Sequence, residues 1–205
     1  MAPPISDAVI VDVLRRVDRL VSPVVSRLGR PPALPQAERD HWWAEQVSQV
    51  GGAIAAAPRF LGKVADLLPL QNTVATAVQS VVVLGVAREH GVTDPAERVS
   101  LLSRVLLDRD LPVEKVEPLL VKAKGPYRED AFGAGRGPVR TLWRTSRLLS
   151  RIDDALDARP KGRLHHRALA NLPVVGVLGG YAAEKEGLRR AAAKAATVLG
   201  GRVSP

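Results

Sequence analysis

Hydrophobic positions recur with helical spacing through most of the chain, and no segment shows the clean alternation of a strand. From Ser6 to about Leu28, the residues Val9, Ile10, Val13, Leu14, Val17, Leu20, Val21, Val24, Val25 and Leu28 fall within an arc of roughly 160° on a helical wheel. Asp12, Arg15, Asp18 and Arg19 lie opposite. Ser6 is placed to cap the start. Pro23 falls on the polar side, where a kink is tolerated, and Gly29 ends the helix before the extended connector RPPALP. The mixed signs on the polar face indicate packing on a protein core. A helix anchored on an anionic membrane would carry mainly Lys and Arg there.

A second helix is expected from Gln36 to Val50. Its adjacent Trp42 and Trp43 point about 100° apart, so one belongs in the core and its neighbour at the rim. Gly51 and Gly52 loosen the chain beyond Val50, and Pro58 to Leu68 reads as one or two amphipathic turns. Next comes the longest uncharged run, the 21 residues from Leu67 to Ala87 between Asp66 and Arg88. A helix continuing to His90, with Gly91 as its stop, fits this stretch.

The run is long enough to span a bilayer, but Pro69, Gln71, Asn72, Thr73, Thr76, Gln79 and Ser80 interrupt it. A buried core helix, with its polar groups bonded to neighbours, is the better reading; insertion into a membrane is the other.

Asp94-Pro95 restarts a helix, with Asp as N-cap and Pro in the first turn. Val99, Leu102, Val105 and Leu106 share its apolar face, and Leu111-Pro112 separates it from a helix over Val113 to Ala123. Glycines and prolines crowd residues 124–138, KGPYREDAFGAGRGP, which reads as a loop. A helix from Pro138 to Ala158 comes next. After RLHHR there is a second uncharged stretch, the 16 residues Ala168–Ala183, and then an Ala-rich helix from Glu184 to Leu199. The fold class is all-α: a single domain over 1–205, built as a compact multi-helix bundle around the central apolar helix at about 67–90.

Two stretches resemble the EcsC family. The apolar helix passes into AREHGVTDPAERVSLLSRVLL, where His90, Gly91, Asp94, Pro95, Glu97 and Arg98 match the family's glycine corner and Asp-Pro-Glu-Arg helix start. LPVVGVLGG is similar to its late Pro-Val-Val-Gly segment, at Pro173, Val174, Val175 and Gly176. Where members often carry a small residue and Asn after that turn, this chain has Gly179-Gly180-Tyr181. The resemblance implies an all-α cytoplasmic protein that associates with membranes.

Charge adds a location to that picture. The formal net charge is +9. Residues 1–135 hold 16 Lys/Arg and 16 Asp/Glu, whereas residues 136–205 hold 14 and 5. The whole excess therefore sits in the basic C-terminal third, which points to an anionic partner. Arg140, Arg144, Arg147 and Arg151 stack within about 60° on their helix, opposite Leu142, Leu148, Leu149, Ile152 and Leu156. Four guanidinium groups on one face repel unless an anion lies near. Partial pairing with carboxylates such as Glu114 or Glu117 is the structural alternative.

Arg163 and Arg167 precede the 168–183 stretch, and Lys185, Arg189 and Arg190 come after it. Basic flanks of this kind suit anionic head groups, with an interfacial or re-entrant hairpin between them. Gly176 and Gly180, four apart, would equally let two helices approach in a soluble bundle. Trp143 is an interfacial anchor on the first reading and a core residue on the second. The candidate anion-binding set is thus Arg140, Arg144, Arg147, Arg151, Arg163, Arg167, Arg189 and Arg190. The candidate membrane-contact set is Pro173, Val174, Val175, Gly176, Gly180 and Trp143.

Other chemistry finds little support. Without cysteine there are no disulfides or thiolate metal sites, which is compatible with a reducing compartment. The N-terminus lacks the basic and cleavage features of a signal peptide. His165-His166 has no third ligand at metal spacing. GAGRG at Gly133–Gly137 is not a dinucleotide fingerprint, and no nucleophile or phosphate-loop motif is present. No cofactor is expected. The composite expectation is a non-enzymatic protein, cytoplasmic and peripheral on the inner face of the plasma membrane. A nucleic-acid-binding or protein-interaction module using the same Arg face is the alternative, though aromatics make up only 3% of the chain.

Overall fold

The computed structural model describes residues 5–56, 71–123, 138–152 and 176–201. Seven α-helices account for most of these, and no strand occurs among the described residues. They are α1 (Asp7–Arg27), α2 (Gln36–Ala56), α3 (Gln71–Glu89), α4 (Pro95–Leu106), α5 (Val113–Lys122), α6 (Pro138–Leu149) and α7 (Gly176–Gly200).

The uncharged helix is the axis of the bundle. Every residue of α3 from Ala75 to Ala87 is buried, because α1, α2, α4, α6 and α7 all pack against it. Within this sheath Ser80 Oγ donates to the Thr76 carbonyl at 2.8 Å, which satisfies a hydroxyl that burial would otherwise penalise. No described helix is long and apolar enough to cross a membrane. The core-helix reading therefore stands in place of a span.

Helix α2 supplies the largest buried side chain, Trp43. Trp42 is half-buried beside it, with the two rings edge-to-face at 5.1 Å and 88°. The indole of Trp43 lies flat on α3 at Gly85, where even a methyl group would collide with Cδ2 and Cε3. Helix α2 also runs six residues past Val50, through Gly51 and Gly52 to Ala56. The glycine pair does not end it, because an interior helical glycine costs only about 1 kcal/mol.

The corner after α3 is built by His90, Gly91, Asp94 and Arg98. Gly91 adopts φ +75°, and the amide of Val92 reaches back to the Ala87 carbonyl at 2.9 Å while that of Gly91 bonds Arg88 at 3.1 Å. This pair of bonds is the Schellman closure, which needs a left-handed residue at that site. His90 Nε2 lies 3.0 and 3.2 Å from the two oxygens of Asp40 on α2. The Asp94 carboxylate then caps α4 by accepting from the Glu97 amide at 2.9 Å. One turn on, Arg98 Nε and Nη2 donate to Asp18 Oδ1 and Oδ2 at 2.7 and 3.0 Å. Arg88 Nη1 donates to the Val25 carbonyl at 3.2 Å, closing the last turn of α1.

Helix α1 departs from simple amphipathicity. Ser6 holds the N-cap position, but its side chain makes no capping bond. Val9, assigned to the apolar arc, is 44% exposed. Arg15 and Asp18, assigned to the polar face, are buried together with Arg16. The reason is enclosure: α3 and α6 cover one side of α1, and α4 and α5 cover another. The middle of the helix is therefore enclosed on more than one side, while Val9 and Arg19 remain exposed.

Candidate functional site

The basic third enters the bundle as two helices with different electrostatic fates. On α6, Leu142 and Leu149 are buried, as is Ile152 just beyond its end, and they fix the helix against α1 and α3. Thr145 and Ser146 are buried beside them, and Thr145 Oγ1 donates to the Thr141 carbonyl at 2.9 Å. This seating turns the opposite face outward. Arg147 and Arg151 are exposed and Arg144 is half-buried. Arg144 has a bonding partner, whereas no carboxylate of the described residues pairs with Arg147 or Arg151. Arg140 and Trp143 lie in the first two turns of the same helix. A short 3₁₀ turn ends the described segment at Ile152, so the expected continuation to Ala158 lies outside the described residues.

The four cations of α7 are all paired, two of them with the same carboxylate. Lys185 Nζ lies 2.7 Å from Glu45 Oε2, and Arg189 Nε donates to Glu45 Oε1 at 2.9 Å, with Nη2 on the same oxygen. Arg190 Nη2 donates to Glu186 Oε1 at 2.8 Å, one turn away. Lys194 Nζ donates to Asp108 Oδ1 at 2.8 Å and to the Val105 carbonyl at 3.4 Å, closing the C-terminal end of α4. Burial alone would raise the Glu45 carboxyl, but hydrogen bonds and charge from Lys185 and Arg189 hold it below its ordinary value. Asp108 is lowered by its hydrogen bond from Lys194 and by that group's charge.

Both carboxylates are thus ionised at neutral pH, and α7 is clamped to α2 and α4 at three points. Its buried face of Leu188, Ala191, Ala192, Ala195 and Leu199 is mostly alanine, which allows close approach of α2 and α3. Arg189 and Arg190, candidate anion ligands from sequence, are exposed but committed to Glu45 and Glu186.

Residues 176–183, read from sequence either as part of an interfacial hairpin or as a site of close helix packing, form the first turns of α7, continuous with the helix to Gly200. Gly179-Gly180 does not break it. Gly176 and Gly180 therefore sit one turn apart on a helix, while Pro173, Val174 and Val175 lie outside the described residues. So do Arg163, Arg167, His165 and His166, the loop over 124–137 and the amphipathic turns from Pro58 to Leu68.

No group of three or more His, Asp or Glu suited to a metal occurs among the described residues. Asp40 and His90 form an acid–base pair, yet Asp40 Oδ1 also accepts from Gln36 Nε2 at 3.0 Å, and the arrangement ties the start of α2 to the end of α3. What the sequence could not reveal is the clamp at Glu45, because its partners Lys185 and Arg189 stand 140 and more residues away. Compared with known proteins, the chain matches no family model, no curated protein and no solved structure.

Proposed function

We propose that the protein associates peripherally with an anionic membrane surface through its basic C-terminal third, in a non-enzymatic accessory or structural role on the cytoplasmic face. The observation that carries this reading is the unequal use of the arginines. Those of α7 are matched by Glu45 and Glu186, whereas Arg147 and Arg151 stand exposed on the outer face of α6, with no carboxylate of the described residues against them. The contact is therefore assigned to α6 and to the basic segment after it, which holds Arg163 and Arg167. A guanidinium fork suits phosphate geometry, and clustered cations near a surface contribute about 1 kcal/mol each toward anionic lipid. The EcsC-like corner and its Pro173–Gly176 counterpart support the same direction.

Co-sedimentation with vesicles tests the proposal. Binding should require anionic lipid, weaken from 50 to 300 mM salt by roughly tenfold or more, and fall on charge reversal of Arg147 and Arg151. Binding indifferent to lipid charge would sink it. A steeply salt-dependent gel shift with RNA or DNA, in the absence of vesicle binding, would assign the same arginines to nucleic acid instead.

A further inference from the structure

Helix α1 buries three charged side chains: Arg15, Arg16 and Asp18 are 5%, 3% and 3% exposed. Asp18 shows how such a group is satisfied. Both its oxygens are held by Arg98, whose remaining nitrogen, Nη1, donates to the Thr93 carbonyl. Every nitrogen of that guanidinium has an acceptor.

Arg15, one turn earlier on the same helix, is the opposite case. Its Nη2 donates to Asp12 Oδ1 at 3.0 Å, and the other oxygen of that carboxylate lies 2.8 Å from Arg16 Nη2. Arg15 Nε and Nη1 are buried and find no acceptor, although the side chain is only 6% exposed. A guanidinium cannot shed its proton, so neutralisation offers no escape from the desolvation cost. That cost is larger for a charged donor than for a neutral one.

Unsatisfied N–H groups around one buried positive charge define their complement: a small anion with two or more acceptor oxygens. Asp12, the carboxylate that joins the two arginines, has a side chain 25% exposed. We propose that Arg15, supported by Arg16, binds a small soluble oxyanion of the phosphate class against α1. The opposing feature is Asp12 itself. Its carboxylate already occupies one edge of the Arg15 guanidinium and repels an incoming anion, so affinity depends on two cations outweighing one neighbouring carboxylate. The site uses none of the arginines assigned to the membrane contact and stands or falls separately from it.

Thermal unfolding in increasing inorganic phosphate, with ionic strength held constant by chloride, is the test. A ligand specific for the folded state raises Tm saturably, here by about 5–10 °C at a hundredfold excess over its dissociation constant. Arg15→Met keeps the volume and removes the charge; it should abolish the response and leave vesicle binding unchanged. Asp12→Asn should tighten phosphate several-fold. No saturable rise in the wild type, or an equal rise in Arg15→Met, overturns the proposal and leaves water alone on those donors. Should Arg15→Met not fold, the Arg15 Nε–H resonance of the wild type decides: a shift on phosphate addition supports the site, and an unmoved signal removes it.

Discussion

The sharpest stability prediction concerns Gly85, where helix propensity and packing pull in opposite directions. A Cβ added there would lie 2.3, 2.4 and 2.8 Å from Cδ2, Cε3 and Cε2 of Trp43, against about 3.5–4.0 Å for a relaxed carbon–carbon contact. The indole would have to retreat by more than an ångström. Trp43 is fully buried in a close-packed core, with Trp42 edge-on against it, so that retreat has no free volume to use. Overpacking of this kind costs about 1–3 kcal/mol, and a clash on the face of a rigid ring belongs at the upper end.

Alanine returns about 0.5–1 kcal/mol through helix propensity. Gly85→Ala should therefore destabilise by a net ~2 kcal/mol, lowering Tm by about 4–8 °C for a chain of this size. Urea unfolding followed by tryptophan fluorescence measures it, with an unchanged m-value as the check that two-state unfolding holds. In a Trp43→Leu background the same substitution should be neutral or stabilising, since only the propensity gain remains. A Gly85→Ala protein as stable as the wild type would refute the stacking of the indole on α3.

Arg98→Met should cost about 3–5 kcal/mol by stranding the Asp18 carboxylate inside the bundle; chemical denaturation of Arg98→Met and of Asp18→Asn/Arg98→Met would show the double variant recovering much of that loss. The lowered Glu45 carboxyl stabilises the folded state above its ordinary value of 4.5 and loses that contribution as pH falls through the lower folded value. Because Glu45 is only partly buried, its side chain 28% exposed, solvent screening holds the effect to about 1 kcal/mol at most, and Glu45→Gln should flatten the acid limb of a stability-against-pH profile without moving its neutral plateau by more than that. Gly91→Ala should destabilise by about 1 kcal/mol or more, since the corner holds φ +75° and only a residue tolerant of that region closes the Schellman bonds; thermal unfolding checks it.

The pattern of apolar residues was enough to place α1, α3, α4 and α5 within a few residues, because each is bounded by local chemistry. Gly29 and Gly91 have positive φ, Asp94 caps α4, and Pro112 opens α5. Where the same rules failed, tertiary packing overrode a local signal. Gly51-Gly52 reads as the loosening that ends α2, and the last helix reads as starting at Glu184, yet α2 runs on to Ala56 and α7 begins at Gly176, since helices packed along most of their length tolerate a few glycines. The polar face of α1 was legible as polar but not as buried: a wheel shows which residues lie together, not how many neighbours surround the helix. Likewise the charge count along the sequence places the basic excess in the last third. It could not show that Glu45 and Asp108, from the first 135 residues with no net charge, would fold against α7.

That redistribution yields a contrast between two pairs of arginines equal in sequence charge. Arg147→Glu/Arg151→Glu changes side chains that face water on α6 and just beyond its end; it should leave the unfolding free energy within about 0.5 kcal/mol of the wild type, as surface changes usually do, while abolishing binding to anionic vesicles. Arg189→Glu/Arg190→Glu puts new carboxylates beside Glu45 and Glu186, loosening the hold of α2 on α7. It should lower Tm measurably and, wherever the protein remains folded, retain most vesicle affinity. Both doubles alter net charge by the same amount, so an attraction set by total charge alone predicts equal losses of binding. Equal losses would return the membrane contact to the whole basic third. Unequal losses in the stated direction mean that folding has spent the charge of α7 on the scaffold and left that of α6 for an anionic surface.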